Sequence, residues 1–238
     1  MMIATAAGTG AAKVDSAAAV HPAETLESRI LGVDGNDREG GLRVPGRVRH
    51  FLRDRQIYTE GDDADCIFKV EMGVVRTYKF LRDGRRQVYA FHGPGSMFGL
   101  EIGKAYGLSA AAASDCDVIS YGRRHLERLA VHDERLALLL YSTVLCSLAR
   151  AQQHSLSLGQ RSAIEKLAIF LMSCTELPIV GADILLAMSR NDIADHLGLT
   201  IETVSRTFAD LVARAFIELK GARHICLVDV AGLRELCA

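Results

Sequence analysis

Near the C-terminus, Thr200-Ile-Glu-Thr-Val-Ser-Arg-Thr-Phe208 carries an acid, a hydroxyl and a guanidinium at helical spacing. Glu202, Ser205 and Arg206 stand at i, i+3 and i+4, so a helix puts all three on one face. Ile201, Val204 and Phe208 would share the opposite, buried face. The outward chemistry suits the edges of DNA bases. A guanidinium pairs with O6 and N7 of guanine, a carboxylate accepts a hydrogen bond from the amino group of cytosine, and a hydroxyl donates or accepts. Glu202 and Arg206 could also steady each other as an i, i+4 ion pair; taken alone, those two residues read equally well as an ordinary solvated pair.

The flanking residues supply what such a helix needs. Ser189 and Asp192 have the spacing of a capping pair for a preceding helix. Ile193 and Leu197 give that helix an apolar face, and Ala194 is small where a second helix must cross closely. Gly198 permits a tight turn, and Thr200 can cap the second helix. Two helices joined by a short Gly-containing turn form a helix-turn-helix, whose second helix enters the major groove by its N-terminal end. Phe216–Leu219 and Ile225–Val228 read as strands around the tip Lys220-Gly-Ala-Arg-His224, a wing-like hairpin that could equally be a plain solvated turn. Ser189, Arg190, Thr200, Ile201 and Thr203, with Lys220, Arg223 and His224 at the tip, are the candidates for positioning contacts to the DNA backbone.

The rest of the chain divides by texture. Residues 1–45 are rich in Ala, Gly, Ser and Thr and read as a flexible arm, with a short helical stretch around Ala23–Leu31. Residues 46–123 hold short β-branched and aromatic runs, Ile67–Val70, Val74–Phe80 and Gln87–Phe91, between turns at Gly61, Gly73, Asp83-Gly84 and Gly93-Pro94-Gly95. That spacing predicts an antiparallel jelly roll. Residues 124–156 are helical in pattern, with Leu129, Leu136, Leu139, Leu140, Val144, Leu145 and Leu148 recurring every three or four positions. The stripe is either packed on its own barrel or, through Leu136, Leu140, Val144 and Leu148, a two-stranded dimer seam. A polar link, SLSLGQ, follows. Residues 157–238 hold another helical run, Arg161–Ser173, broken at Pro178 and Gly181, and then the helix-turn-helix and wing. The fold class is α+β.

Composition narrows the function. The chain has 238 residues, 49% of them apolar, and a net charge of -1, so nothing pulls it globally towards nucleic acid or membrane. Basic groups for DNA must be placed locally, and affinity must lean on dimer avidity and base contacts. The six cysteines are scattered through apolar segments without a C-x-x-C pair, which fits reduced thiols in a cytoplasmic protein. No apolar run reaches the ~18 residues of a membrane helix, and MMIATAAGTGAAKVDSAAAV lacks the plan of a signal peptide. No metal motif is present among the histidines, and no Walker or Rossmann glycine pattern. Gly93-Pro-Gly-Ser-Met-Phe-Gly99 has Pro94 where a nucleophile elbow needs its first Gly. An enzyme is not expected.

The order of these parts, and IETVSR in particular, resembles the CRP/FNR family of bacterial transcription factors over about residues 48 to 232. The resemblance implies a jelly roll, a long dimerising helix and a winged helix-turn-helix. Its E-x-x-S-R pattern implies palindromic TTGA-type half-sites read by Glu202, Ser205 and Arg206 in a homodimer. The iron–sulfur branch needs N-terminal cysteines, and here none precedes Cys66; Cys116 lies near the place of the remaining cluster cysteine. The cyclic-nucleotide branch needs an Arg for the cyclic phosphate, and the segment Gly99-Leu-Glu101 to Gly107-Leu-Ser-Ala110 has none. What remains resembles the FixK-type branch. That implies an activator of low-oxygen respiration or nitrogen-fixation genes, with double-stranded DNA, a second copy and RNA polymerase as partners, and with no cofactor.

Two other controls of the same fold stay open at this stage. One is a small-molecule gate, haem or nucleotide, in the barrel. The other is a thiol gate at Cys174, just before the DNA-binding unit, or Cys226 in the wing. The loop Phe80–Arg86, FLRDGRR, reads as an exposed charged turn, or alternatively as a polymerase contact.

Overall fold

The computed structural model describes residues 44–174, 183–221 and 223–237. The arm expected over 1–45 lies almost wholly outside them, as do Pro178 and Gly181. Strands β1 (Arg47–Phe51), β2 (Gln56–Tyr58), β3 (Cys66–Met72), β4 (Val75–Phe80), β5 (Arg86–His92), β6 (Met97–Phe98), β7 (Ser109–Ala112) and β8 (Cys116–Gly122) build the first unit. They pair antiparallel into two four-stranded sheets, β1-β8-β3-β6 and β2-β7-β4-β5. The turns use glycine where the backbone needs it: Gly73 has φ +81, and a Cβ there would lie 2.2 Å from the Asp115 carbonyl oxygen.

Aromatic rings fill the space between the sheets. Tyr58 stacks on Tyr106 at 3.7 Å and on Phe68 at 5.5 Å, and Phe68 stacks on Phe98 at 5.2 Å. The Tyr106 hydroxyl donates to the Cys66 carbonyl oxygen at 2.7 Å, so its one polar tip is satisfied. Burial pushes the Tyr106 phenol up to about 12. Strand β7 is Ser-Ala-Ala-Ala and wholly buried. Ala112 packs into the interior with Val75, while Ala111 packs on the outer face with Tyr78 and Val88.

The helical segment after the barrel is two helices. Helix α1 (Arg123–His132) ends at Asp133, whose backbone N–H closes on the Leu129 carbonyl oxygen. The same residue starts α2 (Glu134–Gln160), its carboxylate accepting from the Leu136 N–H at 3.0 Å. An Asp with extended backbone therefore separates what the leucine spacing joins. The polar link expected at SLSLGQ is also helix: α2 continues to Gln160 because Ser157 is buried and Leu158 packs towards the turn at Gly198.

The second unit holds α3 (Ala163–Ser173), β9 (Asp183–Leu185), α4 (Arg190–Leu197), α5 (Ile201–Ala213), β10 (Ile217–Leu219), β11 (His224–Leu227) and α6 (Val230–Cys237). Its sheet runs β10-β11-β9, antiparallel. Leu167, Leu171, Leu186, Ile193, Leu197, Val204, Phe208, Leu211 and Ile225 form its core. That core also takes in Val74 and Ala113, so the two units share packing.

The stripe on α2 divides between two tasks. Leu136 and Leu139 are fully buried with Ile119, Tyr121 and Leu126 of the same chain, and Leu140 packs partly on that cluster. Leu136 is therefore corrected: it seals the barrel and cannot serve a seam, and Leu140 is mostly engaged in the same way. The apolar side chains left exposed are Leu138, Tyr141, Val144, Leu145, Leu148 and Leu156. Positions 138, 141, 145 and 148 alternate steps of three and four, the spacing of a coiled-coil seam.

Candidate nucleic-acid interface

Helix α4 starts with a full capping box. The Ser189 hydroxyl accepts from the Asp192 N–H, while the Asp192 carboxylate accepts from the Ser189 N–H at 3.0 Å. The helix closes on Gly198 in the left-handed region, φ 64. Thr200 then caps α5, its hydroxyl accepting from the Thr203 N–H at 3.2 Å. Val204, Thr207, Phe208 and Leu211 are the buried face of α5. Ile201 does not belong to that face: it is 41% exposed, because the first turn of α5 projects beyond the core.

Glu202, Ser205 and Arg206 are all exposed, in the first two turns of α5. The Ser205 hydroxyl donates to the Ile201 carbonyl oxygen at 2.8 Å, which leaves its lone pairs outward. Glu202 and Arg206 do not pair. Hydrogen bonds from the Glu202 N–H and the Thr200 hydroxyl hold the Glu202 carboxyl below its ordinary pKa, so it stands ionised and acceptor-only. Among the described residues Arg206 has no ion pair. An ionised acceptor and an uncommitted guanidinium side by side are what base edges require.

The expected positioning residues fare differently. Thr200, Ile201, Arg223 and His224 are exposed, and Thr203 is half-buried. Ser189 serves as the cap of α4. Arg190 is a correction: its guanidinium lies 3.2 Å from the centroid of the Phe208 ring, and burial pushes its pKa down to about 10. It acts as packing between α4 and α5, a cation–π contact. Lys220 is tied across the wing, donating to both Asp183 oxygens at 3.1 Å.

The two suspected thiols are poorly placed for oxidation. Cys174 is 3% exposed. Burial and hydrogen bonding with Asp183 raise the Cys226 pKa, which disfavours the reactive thiolate. No group of three or more His, Cys, Asp or Glu among the described residues is arranged to hold a metal ion. Nor is any described helix long and apolar enough to cross a membrane.

One constellation has no sequence signal. The loop FLRDGRR does not simply hang in solvent: Arg85 stays with Asp83, but Arg86 turns onto α4 and reaches Asp192 and Asp195, each at 2.7 Å. Buried Arg76 adds a contact to Asp192 at 3.5 Å and one to Asp54 at 2.8 Å. The partners of the α4 contacts lie more than a hundred positions apart in sequence, so no spacing rule could pair them.

A barrel of two sheets, a long helix with an exposed apolar stripe, and a helix-turn-helix with an exposed polar face on its second helix define a DNA-binding transcription regulator of two units. Residues 165–236 match the Crp-like helix-turn-helix domain, and residues 48–133 match the cyclic nucleotide-binding domain. The nitrogen fixation regulation protein FixK of Rhizobium meliloti is 43% identical over 81% of this chain and 88% of its own length. The FixK of Azorhizobium caulinodans is 41% identical over 78% of this chain and 77% of its own. The solved structure of FixK2 from Bradyrhizobium japonicum superposes with a TM-score of 0.79 at 39% identity, over 82% of this chain and 98% of that one. The chain belongs to the CRP/FNR family of transcription regulators, in its FixK-type branch. Proteins of that kind act on promoters and are not enzymes.

Proposed function

We propose that this protein is a homodimeric activator that reads TTGA-type palindromic half-sites in genes for low-oxygen respiration or nitrogen fixation. The observation that carries the reading is the outward face of α5, where Glu202, Ser205 and Arg206 stand exposed with Glu202 ionised and Arg206 unpaired among the described residues. Thr200 and Thr203 at the start of α5, and the exposed Arg223 and His224 of the wing, are the candidates for phosphate contacts, which position the protein without reading sequence. The exposed stripe Leu138, Tyr141, Leu145 and Leu148, with Val144 beside it, supports pairing through α2. Two copies then present two reading helices to a two-fold site. RNA polymerase in the cytoplasm is the further partner of an activator.

The barrel is read as independent of a nucleotide or cluster. Its interior is occupied by the Tyr58, Phe68, Phe98 and Tyr106 rings, and Glu101 lies beside Gly107 with a carboxylate oxygen 3.4 Å from where a Cβ would stand. The segment Gly99–Ala110 carries no arginine to pair with a cyclic phosphate. The test is fluorescence anisotropy of the purified protein on a TTGAT–four bases–ATCAA duplex, in air and without ligand, against a scrambled duplex at the same salt. Preference for the palindrome supports the reading. No preference under any reductant or nucleotide refutes it.

A further inference from the structure

The first helix of the helix-turn-helix is gripped from two sides by other parts of its own chain. On one side stands β5. Arg86 donates from Nε to Asp195 and from Nη2 to Asp192, both at 2.7 Å. The next residue, Gln87, donates to the His196 carbonyl oxygen at 3.3 Å. The His196 Nδ1–H donates to the Val88 carbonyl oxygen at 3.0 Å. On the other side stands α2. The His154 ring lies flat on the His196 ring at 4.1 Å and 4°, and its Nε2–H donates to the His196 carbonyl oxygen at 2.8 Å. Asp192, Asp195 and His196 sit at i, i+3 and i+4, so they form one face of α4. The opposite face, Ile193, Ala194 and Leu197, is buried in the core shared with α5.

We propose that Arg86 is a positioning residue for DNA recognition: it fixes α4, and through α4 the reading helix α5, at the angle that sets the half-site spacing the dimer accepts. This rests on the reading of a homodimer on a palindrome. In such a dimer α2 marks the two-fold axis, and the two α5 helices must meet grooves about one turn, roughly 34 Å, apart. A reading unit joined only by the end of α2 could swivel and accept several spacings. A planar fork with two carboxylates admits one orientation, because guanidinium–carboxylate pairs are directional as well as strong. The two carboxylates sit on the same helix, so rotation of α4 about its axis breaks both bonds together.

The test compares palindromes with four and five bases between the half-sites, using the full-length protein and Arg86→Met, Arg86→Lys and Asp195→Asn. The wild type should prefer the four-base spacer. Arg86→Met, which keeps the buried stem, should lose affinity for it about tenfold, the worth of one charge-assisted hydrogen bond, and lose little or nothing on the five-base spacer. The ratio between spacers should therefore collapse. Asp195→Asn should move the same way, and Arg86→Lys, which keeps the charge, should restore part of the ratio. Equal weakening on both spacers would mean that Arg86 only stabilises the fold, and overturns the proposal. So would an unchanged ratio. Hydrogen exchange without DNA gives a second readout: the α4 amides should exchange faster in Arg86→Met while those of β3 and β8 keep their rates. If the wild type shows no preference for the palindrome at all, the dimer reading fails, and the positioning claim then stands or falls on that exchange result.

Discussion

Replacing Asp192 with Asn tests the logic of the α4 site with almost no change in shape. Asp192 is 3% exposed, a fraction that leaves water no part in solvating its charge. Burial alone would raise its pKa. The Ser189 hydroxyl at 2.7 Å, then the Arg76 guanidinium at 3.5 Å, the Ser189 N–H at 3.0 Å and Arg86 at 2.7 Å outweigh that and hold it below the ordinary carboxylate value. An amide keeps one acceptor oxygen but no charge. The capping box loses about 1 kcal/mol. The charge-assisted bond to Arg86 loses about 1.5–3 kcal/mol. The amide oxygen returns about 1 kcal/mol of this as a neutral hydrogen bond. Arg76 retains Asp54, and Arg86 retains Asp195, so neither cation is stranded. The net expectation is a loss of about 1.5–3 kcal/mol in urea unfolding at fixed protein concentration. A cycle with Arg86→Met should return a coupling of at least about 1 kcal/mol. A measured loss below about 1 kcal/mol, or no coupling, would show that the cluster gives orientation without stability, contrary to this accounting.

Other expectations follow from the same geometry. Arg206→Ala should cost about 1–3 kcal/mol on the palindrome and little on scrambled DNA, in anisotropy at fixed salt; equal losses on both would remove Arg206 from base reading. Leu148→Glu should shift sedimentation from dimer to monomer, whereas Leu136→Ala should cost about 2–5 kcal/mol of stability and leave the pairing constant alone. A dimer that survives Leu148→Glu places the seam elsewhere. Acid should destabilise the protein before its ordinary carboxylates titrate. Burial, together with the neighbouring His154, lowers His196 from 6.5 to about 4, and the hydrogen bond to Val88 offsets only part of this. Between those values the unfolded chain takes up the proton and the folded one does not, so stability is full near pH 7 and falls towards pH 4. The group contributes about 1–3 kcal/mol of that fall, and buried His92, lowered to about 3, acts in the same direction. Urea midpoints measured from pH 7 to 4.5 check the sign, and His196→Gln should flatten the slope.

The helix-turn-helix was legible because its signals are local. Ser189 with Asp192, Gly198, and Thr200 announce caps and turn within a dozen positions, and each takes its expected role. The strands at Ile67, Val74 and Gln87 were legible for the same reason: β-branched and aromatic runs end at glycines. Strand β7 was not. Ser-Ala-Ala-Ala has little strand propensity, and it is a strand because β2 and β4 pair with its two edges while both its faces are buried. The leucines of α2 could be counted but not divided, since spacing gives a stripe its period and not its partner. Leu136 faces Leu126 of its own chain, and only three-dimensional packing says so. The Arg86 contacts lay furthest from view. A basic turn and two aspartates on a helix look like solvated charges until the fold brings them together.

The free stripe on α2 also bears on how such a factor responds to its own supply. A row of four or more large apolar side chains in water favours pairing, yet the pairing constant is finite. Below that constant most chains are single, and the number of assembled readers rises with the square of the number of chains. Doubling synthesis then quadruples the units able to span a site. Halving it removes three quarters of them. On the proposed pairing, the exposed Leu138, Tyr141, Leu145 and Leu148 would do more than join two copies. In the proposed homodimer they would turn a gradual change in copy number into a steeper change in promoter occupancy.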